Sequence, residues 1–291
     1  MFKGAITALV TPFRGGEIDE KALEKLIEFQ IEQGINGIVP CGTTGEAPTL
    51  SYDEHKKVIE LTVKFVKKRV PVIAGTGANS TEEAIELTEF AKKVGADGAL
   101  LVCPYYNKPS QEGLYRHFKT IAEKIDIPII LYNIPGRTGV NMLPETVIKL
   151  AQIPNIVGIK EASGSLEQVS EIVRGAPENF VVLSGDDSLT LPMLAIGGKG
   201  VISVASNIIP KVIVLLVDFY LQGKVEDSRR LHLEYFEFMK AMFIETNPVP
   251  VKKAMSLLGM IEADVRLPLC EMAEANVLKL KKVLEKYNLL K

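Results

Sequence analysis

Short apolar runs alternate with amphipathic stretches along most of this chain. Ala5-Ile6-Thr7-Ala8-Leu9-Val10 has the apolar character of a strand covered on both faces. After Thr11-Pro12, Asp19 caps a stretch in which Leu23, Leu26, Ile27 and Ile31 recur at helical spacing, and Gly34 closes it. The strand-then-helix unit then repeats. Ile38-Val39-Pro40-Cys41 leads into a helix over 53–68 opened by Ser51, and Val70-Pro71-Val72-Ile73-Ala74 into one that begins at Ser80-Thr81-Glu82-Glu83 with a capping-box pattern. Ala99-Leu100-Leu101-Val102-Cys103 precedes a helix over 111–124, Ile127-Pro128-Ile129-Ile130-Leu131 one over 144–151, and Ile156-Val157-Gly158-Ile159 one over 166–173. Phe180-Val181-Val182-Leu183 and Gly200-Val201-Ile202-Ser203-Val204 supply the seventh and eighth runs.

Eight such alternations in order predict an α/β fold with a parallel sheet, and eight is the number that closes a (β/α)8 TIM barrel. The rival architecture, an open doubly wound sheet, lacks its glycine fingerprint, because Gly75-Thr76-Gly77 has no third glycine. Helical patterns over 212–222, 225–242, 249–257 and 271–284 follow the eighth run. Residues 1–223 are therefore expected to form the barrel and residues 224–291 a C-terminal helical extension docked on it, with no Gly- or Ser-rich linker between them.

Composition narrows the class of partner. With 47% hydrophobic residues and a formal charge of -2 over 291 residues, the chain is of ordinary globular type and carries no basic footprint for nucleic acid. Cys41, Cys103 and Cys270 have neither metal-type spacing nor the even count of a disulfide framework. The N-terminus runs into a strand pattern without a charged leader, and no apolar run approaches the roughly 18 residues of a membrane span. A cytoplasmic protein without membrane or nucleic-acid partners is expected, acting on small molecules or pairing with copies of itself.

Sites in such barrels lie at the carboxyl ends of the strands. Those ends hold Thr43 and Thr44, Tyr105 and Tyr106, Tyr132, Lys160, Gly185 and Ser203, a set rich in hydroxyls with one amine. Lys160 closes an apolar run, where an ammonium is costly, and a lysine that gives up its proton is the nucleophile that captures a ketone as a Schiff base. A lysine head that has reached water at the strand end fits this stretch equally well. The hydroxyls suit proton transfer among an amine, a carbonyl and a hydroxyl. Each also has a plainer reading: Gly42-Thr43-Thr44-Gly45 as a strand-to-helix turn, Tyr105-Tyr106 as aromatic packing, Gly136-Arg137 as a solvated loop charge. Convergence at one barrel mouth weighs against all three. His55, His117 and His232 are scattered over predicted helices, so no metal site is expected.

Three separated segments, Gly42-Thr43-Thr44-Gly45-Glu46, Tyr132-Asn133-Ile134-Pro135-Gly136-Arg137-Thr138-Gly139 and Gly158-Ile159-Lys160-Glu161-Ala162-Ser163, resemble the signatures of the pyruvate-dependent Schiff-base aldolase superfamily. Within it the chain is most similar to the 4-hydroxy-tetrahydrodipicolinate (dihydrodipicolinate) synthase family, from Gly4 to the C-terminal helices. The resemblance implies a lyase that condenses pyruvate with L-aspartate 4-semialdehyde, without a cofactor, in the diaminopimelate route of lysine biosynthesis. It makes Lys160 the Schiff-base lysine and Tyr132, Thr43 and Tyr106 a proton relay, with Tyr106 inserted from a neighbouring subunit. It assigns Thr44, the backbone at Ile202 and Gly185 to pyruvate, and Arg137 to the semialdehyde carboxylate, a task suited to a forked, permanently charged guanidinium. It further implies a homotetramer built as a dimer of tight dimers. A lysine-effector site is implied at His55, Asn79, Glu83 and Tyr105, although Ala47, Pro48 and Tyr52 replace the serine, alanine and histidine of the enteric version. Sister lyases, which cleave N-acetylneuraminate or 2-keto-3-deoxy sugar acids, share the lysine and the tyrosine, while Arg137 and the Thr43-Thr44 pair favour the synthase. A non-catalytic pyruvate or amino-acid sensor on the same fold is the remaining reading, and an intact relay argues against it.

Overall fold

In the computed structural model, which describes residues 2–290, the eight apolar runs become eight strands: Gly4–Ala8, Gly37–Val39, Ile73–Gly75, Gly98–Val102, Ile129–Asn133, Ile156–Glu161, Val181–Ser184 and Gly200–Ser203. All are parallel. The first pairs with both the second and the eighth, and the third to eighth pair with their neighbours in sequence. A parallel bridge between Ile38 and Val72 joins the remaining edges, and the Gly75 N–H donates to the Pro40 carbonyl at 2.9 Å. The ring is thus the expected barrel, with helices outside it and no free strand edge to cover.

Local signals set the helix starts. Asp19 accepts the Ala22 N–H ahead of the helix Glu20–Glu32, and Ser51 with Glu54 forms a reciprocal capping box ahead of Tyr52–Val66. The box pattern at Ser80 delivers only one of its two bonds, from the Glu83 N–H to the serine hydroxyl. Several elements were not apparent in the apolar pattern, the helix Thr190–Ala195 between the seventh and eighth strands among them. Phe13–Arg14 and Glu17–Ile18 form a hairpin around Gly15 and Gly16, both at positive φ, and Pro135–Thr138 is a single helical turn within the expected loop. The helix expected over 225–242 is two helices, Val225–Glu234 and Phe236–Ala241; at the break Tyr235 stacks on Tyr287, with ring centroids 5.1 Å apart. The last helix begins at Glu274 rather than 271, where Glu245 accepts the Ala273 N–H and the Asn276 amide.

Alternation along the strands divides the core. Ile6, Val39, Ile73, Leu100, Ile130, Leu183 and Ile202 fill the barrel interior with Tyr132, while Leu101, Phe118, Ile129 and Ile159 belong to the layer under the helices. Leu9 and Ile38 share one apolar cluster with Ile213, Met239, Met255 and Leu284, so the C-terminal helices Val249–Leu257 and Glu274–Lys286 lie on the same core as the first two strands. Each fully buried side chain of this kind contributes about 1.5–3 kcal/mol. Among the described residues no helix is long and apolar enough to cross a membrane. Residues 1 and 291, the outer bounds expected for the barrel and its extension, lie outside the described residues.

Candidate active site

Strand register brings the central pair together. Tyr132 on the fifth strand and Lys160 on the sixth are directly opposite, as are Asn133 and Glu161 one residue on. Because successive side chains point to opposite faces, Tyr132 and Lys160 share one side of the sheet and Asn133 and Glu161 the other. On the far side the Asn133 amide donates to Glu161 at 3.1 Å, Gln168 donates to the same carboxylate oxygen at 3.2 Å, and the Ser163 N–H donates to the other at 2.6 Å. These bonds satisfy a buried carboxylate and fix the register behind the Tyr132–Lys160 pair.

Lys160 is 5% exposed, and its Nζ lies 4.2 Å from the centroid of the Tyr132 ring. None of the ion pairs among the described residues involves it. The reading of a lysine snorkelling to water does not hold. Gly185 leaves this side chain its room: a Cβ there would stand 3.2 Å from Lys160 Cε and 2.7 Å from the Ala162 Cβ. Ile202 is fully buried in the barrel interior beside Leu183 and Tyr132.

A cavity of about 440 Å³ opens at the same mouth, lined by Thr43, Tyr132 and Arg137. Arg137 stands on the single turn Pro135–Thr138 and donates through Nη2 to the Asn247 carbonyl at 3.1 Å. Thr44 is buried, and its hydroxyl accepts from the Asn247 side chain at 3.0 Å. His55, Glu83 and Tyr105 line the same cavity, whereas Asn79 is tied by its carbonyl to the Asn107 amide at 2.9 Å and is not part of the wall. The His55 Nε2 is 2.7 Å from the Gly75 carbonyl, and burial pulls its pKa below the usual imidazole value. Burial raises the Tyr105 phenol, with the Glu83 carboxylate adding to the rise. Tyr106 is 90% exposed with φ +73° and is not part of the cavity wall. No cluster of three or more His, Cys, Asp or Glu side chains suited to a metal occurs among the described residues.

Two further buried carboxylates, neither of them in the cavity wall, tie the chain at strand ends. Asp187 takes the Ser203 hydroxyl at 2.5 Å and the N–H groups of Val204 and Ala205 at 3.0 and 2.9 Å, which fixes the chain just after Ile202; burial raises its pKa. Glu46 follows Thr43-Thr44-Gly45 and pairs with Lys252 of the helix Val249–Leu257 at 2.6 Å, both side chains fully buried.

The family model for the dihydrodipicolinate synthetase family matches residues 1–287. The chain belongs to the dihydrodipicolinate synthetase family. Over 291 residues, the whole of both chains, it is 60% identical to the 4-hydroxy-tetrahydrodipicolinate synthase of Thermodesulfovibrio yellowstonii. Its fold matches the crystal structure of dihydrodipicolinate synthase from Aquifex aeolicus with a TM-score of 0.98 at 55% identity, covering 99% of each chain. The chloride-inhibited enzyme from Acinetobacter baumannii, solved with pyruvate, matches at 0.98 and 46% identity over the whole of both chains.

Sequence reasoning passed over Asn247, Asp187 and the Glu46–Lys252 pair. Lys252 sits beside Lys253 in an amphipathic helix, where a lysine pair reads as a solvated face. The fully apolar neighbours Val249, Pro250, Val251, Ala254 and Met255 carried the only hint of burial. Asn247 lies in a loop between helices and touches the site from a distance of 203 residues in sequence, which no local pattern signals.

Proposed function

We propose that this chain condenses pyruvate with L-aspartate 4-semialdehyde to 4-hydroxy-tetrahydrodipicolinate through a Schiff base at Lys160, a lyase reaction in the diaminopimelate route of lysine biosynthesis. The observation that carries the reading is the buried Lys160 amine held against the face of Tyr132, a residue that itself lines a cavity together with Thr43 and Arg137. Attack of the amine on the pyruvate ketone, with loss of water, gives a cationic iminium. A ring face favours a cation, so Tyr132 supports that species. The iminium draws electrons from the pyruvate methyl group, a proton leaves, and the enamine carbon attacks the aldehyde. Tyr132 and Thr43 carry the protons in one chain.

Arg137 meets the semialdehyde carboxylate, and Thr44, Gly185 and the backbone at Ile202 hold pyruvate. The exposure of Tyr106 supports its insertion into the site of a second copy, in a homotetramer made of two tight dimers. The shared cavity wall supports a lysine-effector site at His55, Glu83 and Tyr105 with Asn79 at its margin. Residues 1–223 are read as the barrel and 224–291 as its extension, in a cytoplasmic protein. The test is turnover. Incubation with pyruvate and the semialdehyde should give product, while N-acetylneuraminate and 2-keto-3-deoxy sugar acids should be left uncleaved; the reverse preference would move the chain to the sister lyases.

A further inference from the structure

Lys252 poses a physical question that the proposed reaction leaves unanswered. Its ammonium is wholly removed from water, and a lone charge in that position would be prohibitively costly. It is matched by Glu46 at 2.6 Å and lies 4.3 Å above the Phe13 ring, which the Arg266 guanidinium also covers at 4.3 Å. Buried ion pairs are poor sources of stability, because two apolar residues of the same volume commonly serve as well or better. What an ion pair adds is direction. Here the direction concerns the turn that carries Thr43 and Thr44.

Glu46 has φ +55° and ψ +36°, a left-handed conformation that a side chain adopts reluctantly. Both of its carboxylate oxygens are engaged, one by Lys252 and the other by the Arg266 N–H at 3.1 Å. Its own N–H donates back to the Thr43 carbonyl at 3.1 Å, and the Gly45 N–H donates to Gly42 at the same distance. Gly45 in turn is closely packed, since a Cβ there would stand 3.0 Å from the Cys41 backbone nitrogen and 3.1 Å from the Leu9 carbonyl oxygen. The carboxylate is thus the outer handle of a tight turn whose residue Thr43 lines the cavity.

We propose that the Glu46–Lys252 pair is a positioning device, through which the C-terminal helix Val249–Leu257 fixes the turn 42–46 and sets the Thr43 hydroxyl for proton transfer. The inference rests on the reaction proposed above. Neither residue lines the cavity, so the pair acts on rate through Thr43.

The test is the double variant Glu46→Gln/Lys252→Met, which removes both charges together, made in the parent and in a Thr43→Val background. In the parent background kcat should fall about tenfold or more in a folded protein that still traps pyruvate with borohydride. In the Thr43→Val background the same change should cost less than about threefold, because the group it positions is already gone. A folded double variant with kcat within about twofold of the parent, or one whose loss is equal in both backgrounds, overturns the inference. If the double variant does not fold, Glu46→Gln alone, which keeps an acceptor for Lys252, should show the same split. Failure of both variants to fold would make the pair structural and likewise overturn the inference. A parent protein without turnover would instead defeat the underlying reaction.

Discussion

Tyr132 and Lys160 are register partners on adjacent parallel strands, and the lysine Nζ stands 4.2 Å from the centre of the tyrosine ring. The pairing depends on two neighbouring strands holding their register, since a slip of either strand by a single position would send its member of the pair to the helix layer. The Asn133–Glu161 bond on the opposite face holds that register. A phenol and an amine placed this way form a unit able to move a proton to and from a carbon next to an iminium.

Tyr132→Phe should leave the fold intact, because the ring keeps its packing, and should slow turnover by about 10²-fold. Steady-state kinetics beside a thermal melt checks this. A rate close to the parent's would remove the phenol from the relay.

Tyr106→Phe should lower kcat about tenfold while pyruvate trapping persists, since this exposed residue is not part of the cavity wall in its own chain. A mixture of Tyr106→Phe and Lys160→Ala proteins, allowed to exchange subunits, should be more active than either alone. No recovery in mixed oligomers would argue against insertion from a partner.

Arg137→Ala should raise KM for the semialdehyde by about 10²-fold, the size of one lost charge-assisted pair, and leave KM for pyruvate within about threefold. Equal losses for both substrates would mean that Arg137 acts only by bracing Asn247.

One ion pair near the barrel mouth sets an acid-sensitive part of the stability. Arg266 grips Glu54 with two bonds of 2.6 and 2.7 Å and, chiefly through them, pulls its carboxyl from the ordinary 4.5 to about 2. A lowered pKa means that this stabilisation is complete above about pH 4.5 and is lost as the pH falls toward 2. The Glu54 side chain is 24% exposed, so solvent screening reduces the effect. Glu54→Gln should therefore cost about 1 kcal/mol in urea unfolding at pH 7, and the gap to the parent should close on acidification. A gap independent of pH would assign the loss to the helix cap at Ser51 instead.

The barrel was legible because its strands are covered on both faces and its helices on one, so each kind of element wrote its own apolar period into the chain. Lys160 and Tyr132 were legible for the same reason, as polar residues at the ends of apolar runs. The hairpin at Phe13–Ile18 was not, since two-residue strands have no period and only the glycines at its tip mark it. Asn247, Lys252 and Asp187 were missed because their partners come from other elements of the barrel or from across the chain. Position along a helix says that Lys252 is flanked by apolar residues; only the packed structure says that Glu46 waits there.

The central claim is that Lys160 captures pyruvate as a Schiff base. Intact mass after incubation with pyruvate and borohydride, followed by peptide mapping, tests it directly, because reduction turns the imine into a stable amine. The parent protein should carry one pyruvate adduct on the peptide containing Lys160, and folded Lys160→Ala should carry none. An unlabelled parent, or a label on another lysine, would contradict the account.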